Sequence, residues 1–180
     1  MELIDYKDFE GVKIVQQKSF VDERGSFLKA FQKKDFLPDY HIEQINFVES
    51  VEKHTLRGLH FQYGDHAESK LFRAVKGEII ALFVDLRKAS GTFLKGDTFH
   101  LKDRNHAILL PRGFATGYLT LESNCEVLYL SDNMYVPGAE GGVRWNDPII
   151  NLELPVTNPV ISDKDIKWDN LSREFPGIFK

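Results

Sequence analysis

Along nearly its whole length this chain alternates between short apolar runs and Gly, Asp, Asn or Pro, and that punctuation limits its fold more than any other feature. Runs of four to eight residues rich in Val, Ile, Leu, Phe and Tyr suit strands, whereas few of them are long enough for a stable helix. Strands are expected at 12–17, 26–31, 43–48, 56–62, 70–75, 78–86, 93–101, 107–110, 117–121 and 126–131. Lys76-Gly77 reads as a tight turn joining two of them. The run 79–84 is apolar at both parities, so both its faces are expected to be covered. Helical signals are confined to a short segment near 33–37 and a turn or two after Ser162, where Ser-Asp-Lys-Asp resembles an N-cap region. Many short strands with few helices predict an all-β sandwich or barrel, and 180 residues suit a jelly roll with a cavity between its sheets. One domain spanning 1–180 is expected, with the stretch carrying Pro148, Pro155, Pro159 and Pro176 wrapping the barrel.

Charge and composition exclude several classes of partner. The formal net charge is -4 and no long run of Lys or Arg exists, so the basic footprint needed for nucleic-acid backbones is missing. Small anionic ligands remain open, because a few focused cations suffice. The longest apolar run, 79–84, is far too short to span a bilayer. Cys125 is the one cysteine, and residues 1–8 lack the basic start and apolar stretch of a signal peptide; a soluble cytoplasmic protein is expected.

The segment Leu56-Arg57-Gly58-Leu59-His60-Phe61-Gln62 sets a permanent cation beside the one side chain that trades protons near neutral pH. In an ideal strand Arg57 and His60 would face opposite sides. A bulge at Gly58 would turn both toward one cavity, an expectation that regular pairing through Gly58 would defeat. Lys70 opens the next strand, where a cation in a cavity stabilises an enolate oxygen. Tyr129 shares a strand face with Cys125 and Val127; such a phenol serves as a core residue or as a general acid. Tyr135 lies in a loop before Pro137, where its ring is a surface anchor or stacks on a base. Arg24 binds phosphate or stabilises its own turn. The six histidines include no His-x-His pair, and Pro111-Arg112-Gly113-Phe114-Ala115-Thr116 ends in Thr where metal-binding barrels of this kind carry a ligand His; no metal and no cofactor are expected.

Taken together, these segments resemble the dTDP-4-dehydrorhamnose 3,5-epimerase family of metal-free cupins. The resemblance runs through Phe20-Val21-Asp22-Glu23-Arg24-Gly25, Gln44-Ile45-Asn46, Leu56 to Gln62, Lys70-Leu71, Gly77-Glu78, Val84-Asp85-Leu86-Arg87 and Pro111 to Gly117. It continues through Leu128-Tyr129, Arg144-Trp145-Asn146-Asp147-Pro148 and Ser162-Asp163-Lys164-Asp165. It implies a cupin-type double-stranded β-helix and epimerisation of a nucleotide-linked 4-keto-6-deoxyhexose, with the substrate dTDP-linked. By match to the family, His60 would be the base, Asp165 its orienting partner, Lys70 the oxyanion's neighbour and Tyr129 the acid on the opposite face. Arg24 and Arg57 would hold the diphosphate, and Tyr135 would stack on thymine. Gln44, Asn46, Glu140 and Lys164 match positions that contact the nucleotide sugar, and a homodimer lending residues across its interface is implied.

Two departures from the family pattern stand out. Thr116 replaces a His lining the sugar site, and Lys29 replaces an acidic residue near the substrate. They leave open a C3-only or C5-only epimerase of another deoxysugar pathway. A cupin ketoisomerase that relocates the carbonyl, and a catalytically silent sugar-nucleotide binding module, are the alternatives.

Overall fold

The computed structural model describes residues 1–33 and 40–179, so all but Lys33 of the short helix expected at 33–37 lies outside the described residues. The strands are β1 (Glu2–Asp5), β2 (Lys13–Gln16), β3 (Phe20–Asp22), β4 (Gly25–Phe27), β5 (Gln44–Ser50), β6 (Thr55–Gln62) and β7 (Lys70–Lys76). They continue with β8 (Ile79–Asp85), β9 (Gly96–Leu101), β10 (His106–Leu110), β11 (Phe114–Thr120), β12 (Cys125–Ser131), β13 (Glu140–Gly142) and β14 (Val160–Ile161), followed by helix α1 (Asp163–Ile166). One sheet has the order β1-β2-β10-β7-β12-β5, and the other β13-β6-β11-β8-β9 with β14 parallel to β6. β3 and β4 form a separate hairpin.

β8 shows how sequence becomes layers. Its odd positions Ile79, Ala81 and Phe83 pack with Phe72, Ala74, Ile108 and Val127 of the first sheet, which is the core between the sheets. Its even positions Leu82 and Val84 face the other way and are covered by Val143, Ile150 and Ile178 from the C-terminal stretch. A strand apolar at both parities is therefore buried on both faces, as its pattern predicts. The outer face of the first sheet is closed by a smaller cluster of Val15, Tyr40, Leu71, Leu109 and Leu130.

Several boundaries differ from the pattern. The strand expected at 26–31 stops at Phe27, the one expected at 117–121 begins at Phe114, and the one expected at 93–101 begins at Gly96, after a turn in which the Phe93 N–H reaches the Ser90 carbonyl. β1, β3, β13 and β14 carry no readable alternation, because they are very short or exposed. Gly77 does join β7 to β8, but those strands belong to opposite sheets, so the turn is a crossover and not a hairpin. Its positive φ (+72°), and a neighbouring Cys125 Sγ only 2.6 Å from where a Cβ would stand, account for glycine there. The N-cap expected at Ser162 forms: its side chain accepts the Asp165 N–H at the start of α1. Among the described residues no helix is long and apolar enough to cross a membrane.

Candidate active site

Between β6 and β11 the register slips. Thr116 opposes His60 and Tyr118 opposes Arg57, so Gly58 and Leu59 together face the single Gly117. This bulge reverses the parity of β6 and lets Arg57 and His60 line the same cavity. Gly58 has φ +109°, and a Cβ on it would lie 2.7 Å from the Thr116 carbonyl oxygen; the close backbone crossing needs glycine.

The helix that follows β14 supplies the partner of His60. Asp165 is 5% exposed; its Oδ1 lies 2.7 Å from His60 Nε2, and its Oδ2 accepts the Gly58 N–H at 3.0 Å. Burial alone would raise the Asp165 pKa. Hydrogen bonds from His60, the Gly58 N–H and Ser162 outweigh it and hold the carboxyl below the usual carboxylate range. An ionised Asp165 can only accept, so Nε2 carries a proton and the lone pair falls to Nδ1. Nδ1 is turned toward Glu140, whose Oε1 is 4.0 Å away. The Trp168 ring meets the imidazole edge-on at 6.2 Å.

The first sheet forms the opposite wall. A cavity of about 470 Å³ is lined by Arg57, His60 and Thr116 on one side and by Lys70, Phe72 and Tyr129 on the other. An adjoining recess of about 220 Å³ shares His60, Lys70 and Tyr129 and adds Gln44, Glu68, Tyr135, Glu140 and Lys164. Lys70 Nζ is 3.0 Å from Glu68 Oε1 and 6.0 Å from the centre of the Tyr129 ring. The Tyr129 phenol is pushed above its ordinary pKa by burial and then by the Glu68 charge, so it stays protonated well past neutrality. At the mouth, Glu140 Oε2 accepts from Lys164 Nζ at 2.5 Å and from the Tyr135 hydroxyl at 3.4 Å, while the Tyr135 N–H reaches Gln44 Oε1. The Glu140 contact also raises the Lys164 pKa. Gln44 in turn donates to Asn46, which pairs across the sheet with Tyr129.

Two expected residues lie elsewhere. Arg24 is exposed on the β3–β4 turn, 2.6 Å from Asp22, and lines a separate recess within that hairpin. Lys29 lies on another groove with Gln16 and Lys18. Two residues of the cavity region carried no notice in the sequence. Glu68 stands two before Lys70, and Tyr118 two after Thr116; the period-two rule places each beside a residue already singled out. Among the described residues the hydroxyls of Thr116 and Tyr118 are buried without completing a hydrogen bond, although Ser50 lies beside the Tyr118 phenol. Among the described residues no three His, Cys, Asp or Glu side chains converge as a metal-binding group.

This geometry sits among known proteins as follows. Residues 7–173 match the family described as dTDP-4-dehydrorhamnose 3,5-epimerase. A dTDP-4-dehydrorhamnose 3,5-epimerase of Shigella flexneri is 41% identical over 160 residues, covering 86% of this chain and 88% of that one. The Bacillus anthracis dTDP-4-dehydrorhamnose 3,5-epimerase, solved with TDP and PPi bound, superposes with a TM-score of 0.89 at 35% identity, covering 94% and 99% of the two chains. The Legionella pneumophila dTDP-6-deoxy-D-glucose-3,5-epimerase, solved in complex with dTDP-4-keto-L-rhamnose, gives 0.87 at 29% identity, covering 94% and 92%.

Proposed function

The chain belongs to the dTDP-4-dehydrorhamnose 3,5-epimerase family, and from that premise we propose that it inverts the carbons flanking the ketone of a dTDP-linked 4-keto-6-deoxyhexose. A proton on C3 or C5 is acidic because its removal delocalises charge onto the C4 oxygen as an enolate. His60 takes that proton through Nδ1 while Asp165 holds Nε2–H and stabilises the imidazolium. Lys70 faces the developing oxyanion, and loss of such a donor typically costs about 10²–10³ in rate. Tyr129, on the other sheet, returns a proton to the opposite face, which inverts the centre. The observation that carries this reading is the opposition itself: the His60–Asp165 pair on one wall of the cavity and protonated Tyr129 on the other.

The substrate's remaining groups fit the cavity rim. Arg57 offers its charge to the diphosphate, Tyr135 its ring to thymine, and Gln44, Asn46, Thr116, Glu140 and Lys164 polar contacts to the nucleotide sugar. Arg24 reaches a diphosphate only from a second subunit. The edge strand β5 exposes Ile45 and Phe47, and the β3–β4 hairpin exposes Phe20, Val21 and Phe27, an apolar surface that supports a homodimer exchanging that hairpin. Sedimentation at micromolar concentration checks it; a monomer would contradict it. Buried, free Cys125 fits a reducing cytoplasm.

Incubation with dTDP-4-keto-6-deoxyglucose in heavy water tests the function. Deuterium at C3 and C5 with both centres inverted is expected. Thr116, in the place of a His, favours the second reading, in which only one centre exchanges. A relocated ketone would indicate a ketoisomerase, and no exchange would refute epimerisation.

A further inference from the structure

We propose that Thr116 and Tyr118 form a hydroxyl pair that reads the sugar ring, with Tyr118 taking the C2 hydroxyl and Thr116 the C3 hydroxyl; this rests on the epimerase reading above. Both residues stand on β11, two apart, so both side chains point between the sheets. Both line the 470 Å³ cavity. Their residues are 5% and 3% exposed; among the described residues the Thr116 hydroxyl has no hydrogen-bond partner, and the Tyr118 phenol has the Ser50 hydroxyl beside it without completing a hydrogen bond of good geometry.

A phenol at position 118 needs a reason. Its ring packs edge-on against Phe72 at 6.2 Å, and Phe72 packs on Tyr129 at 5.3 Å, so the ring is held in place by apolar contacts that Phe would make equally well. The surrounding core uses Phe at 72, 83 and 114. A buried hydroxyl without a partner is a cost that a bound ligand removes. Register decides which ligand group each one meets. Tyr118 lies opposite Arg57, the anchor of the diphosphate and therefore of C1; Thr116 lies opposite His60, the base at the reacting carbon. The ring atom after C1 is C2, and the first reacting carbon is C3. A site that hydrogen-bonds a substrate hydroxyl also rejects the analogue lacking it.

The test compares dTDP-4-keto-6-deoxyglucose with its 2-deoxy analogue, measuring kcat/KM for solvent-deuterium uptake by the wild type, Tyr118→Phe and Thr116→Val. The wild type is expected to prefer the 2-hydroxy sugar by about tenfold or more. Tyr118→Phe erases most of that preference by losing more on the 2-hydroxy sugar than on the analogue. Thr116→Val loses the same factor on both, since both keep the C3 hydroxyl. Equal turnover of the two sugars by the wild type overturns the proposal without any variant. So does an equal loss on both sugars in Tyr118→Phe, or an unchanged preference. Failure of the wild type to exchange either sugar is a different outcome and overturns the epimerase reading together with this one.

Discussion

Asp165→Asn separates orientation of the base from mere packing. The carboxylate does two accepting jobs at once: Oδ1 for His60 Nε2–H at 2.7 Å and Oδ2 for the Gly58 N–H at 3.0 Å. An amide has one accepting oxygen and one donating nitrogen. The Gly58 N–H can only donate and is buried in the bulge, so the amide oxygen turns to it and the NH₂ group turns to Nε2. Nε2 must then accept, the ring proton moves to Nδ1, and the atom that should remove the sugar proton no longer has a lone pair. The reverse orientation sets an NH₂ against the Gly58 N–H and strands a buried donor, at a cost of about 1–3 kcal/mol. Loss of the carboxylate also withdraws the charge that stabilises the imidazolium. Together these amount to about 3–5 kcal/mol of barrier, or roughly 10²–10⁴ in rate. The expected result is a fall in kcat for deuterium uptake of that size with KM little changed, and a ¹⁵N spectrum in which the His60 proton has moved from Nε2 to Nδ1. A variant within tenfold of the wild-type rate, or one that keeps the Nε2–H tautomer, would mean that Asp165 does not set the tautomer of His60.

Other consequences follow from neighbouring groups. Burial and then Glu68 raise the Tyr129 pKa; an acid must be protonated, so activity falls as pH rises through that value. Glu68→Gln removes one raising cause and should move the alkaline limb of the pH–rate profile to lower pH; an unmoved limb contradicts the coupling. The folded Asp165 pKa is depressed, so its contribution to stability is complete above the unfolded value near about pH 4 and is lost as pH falls through the lower folded value. Acid unfolding should accordingly be less steep in Asp165→Asn, as denaturant midpoints at several pH values would reveal. Gly58→Ala forces a Cβ at positive φ to within 2.7 Å of the Thr116 carbonyl and should cost more than about 2 kcal/mol; a wild-type melting temperature would mean the bulge relaxes freely.

The two-sheet architecture was readable because alternation is a local signal. β8, apolar at both parities, announces a strand covered on both sides, and Gly58, in the three-residue interval from Arg57 to His60, announces a bulge. What was not readable locally depends on contacts distant in sequence. His60 and Asp165 are 105 residues apart, and only the family resemblance joined them before the fold did. β13 and β14 are two or three residues long and exist because β6 offers them a free edge. Lys76-Gly77 reads as a tight turn between two strands, and it is one, but nothing in a dipeptide says which sheet the next strand will join. Glu68 and Tyr118 stand at period-two spacing from Lys70 and Thr116, so the signal exists, but by residue type alone they read as a solvated acid and an ordinary core aromatic.

We propose that His60 and Tyr129 act on opposite faces of one carbon, and Tyr129→Phe in heavy water separates the two roles. With His60 intact and the acid removed, the base should still withdraw the proton and return deuterium to the face it came from. Deuterium at the reacting carbon with configuration retained is expected of Tyr129→Phe, where the wild type gives deuterium with configuration inverted. Inversion at an undiminished rate in Tyr129→Phe would contradict it.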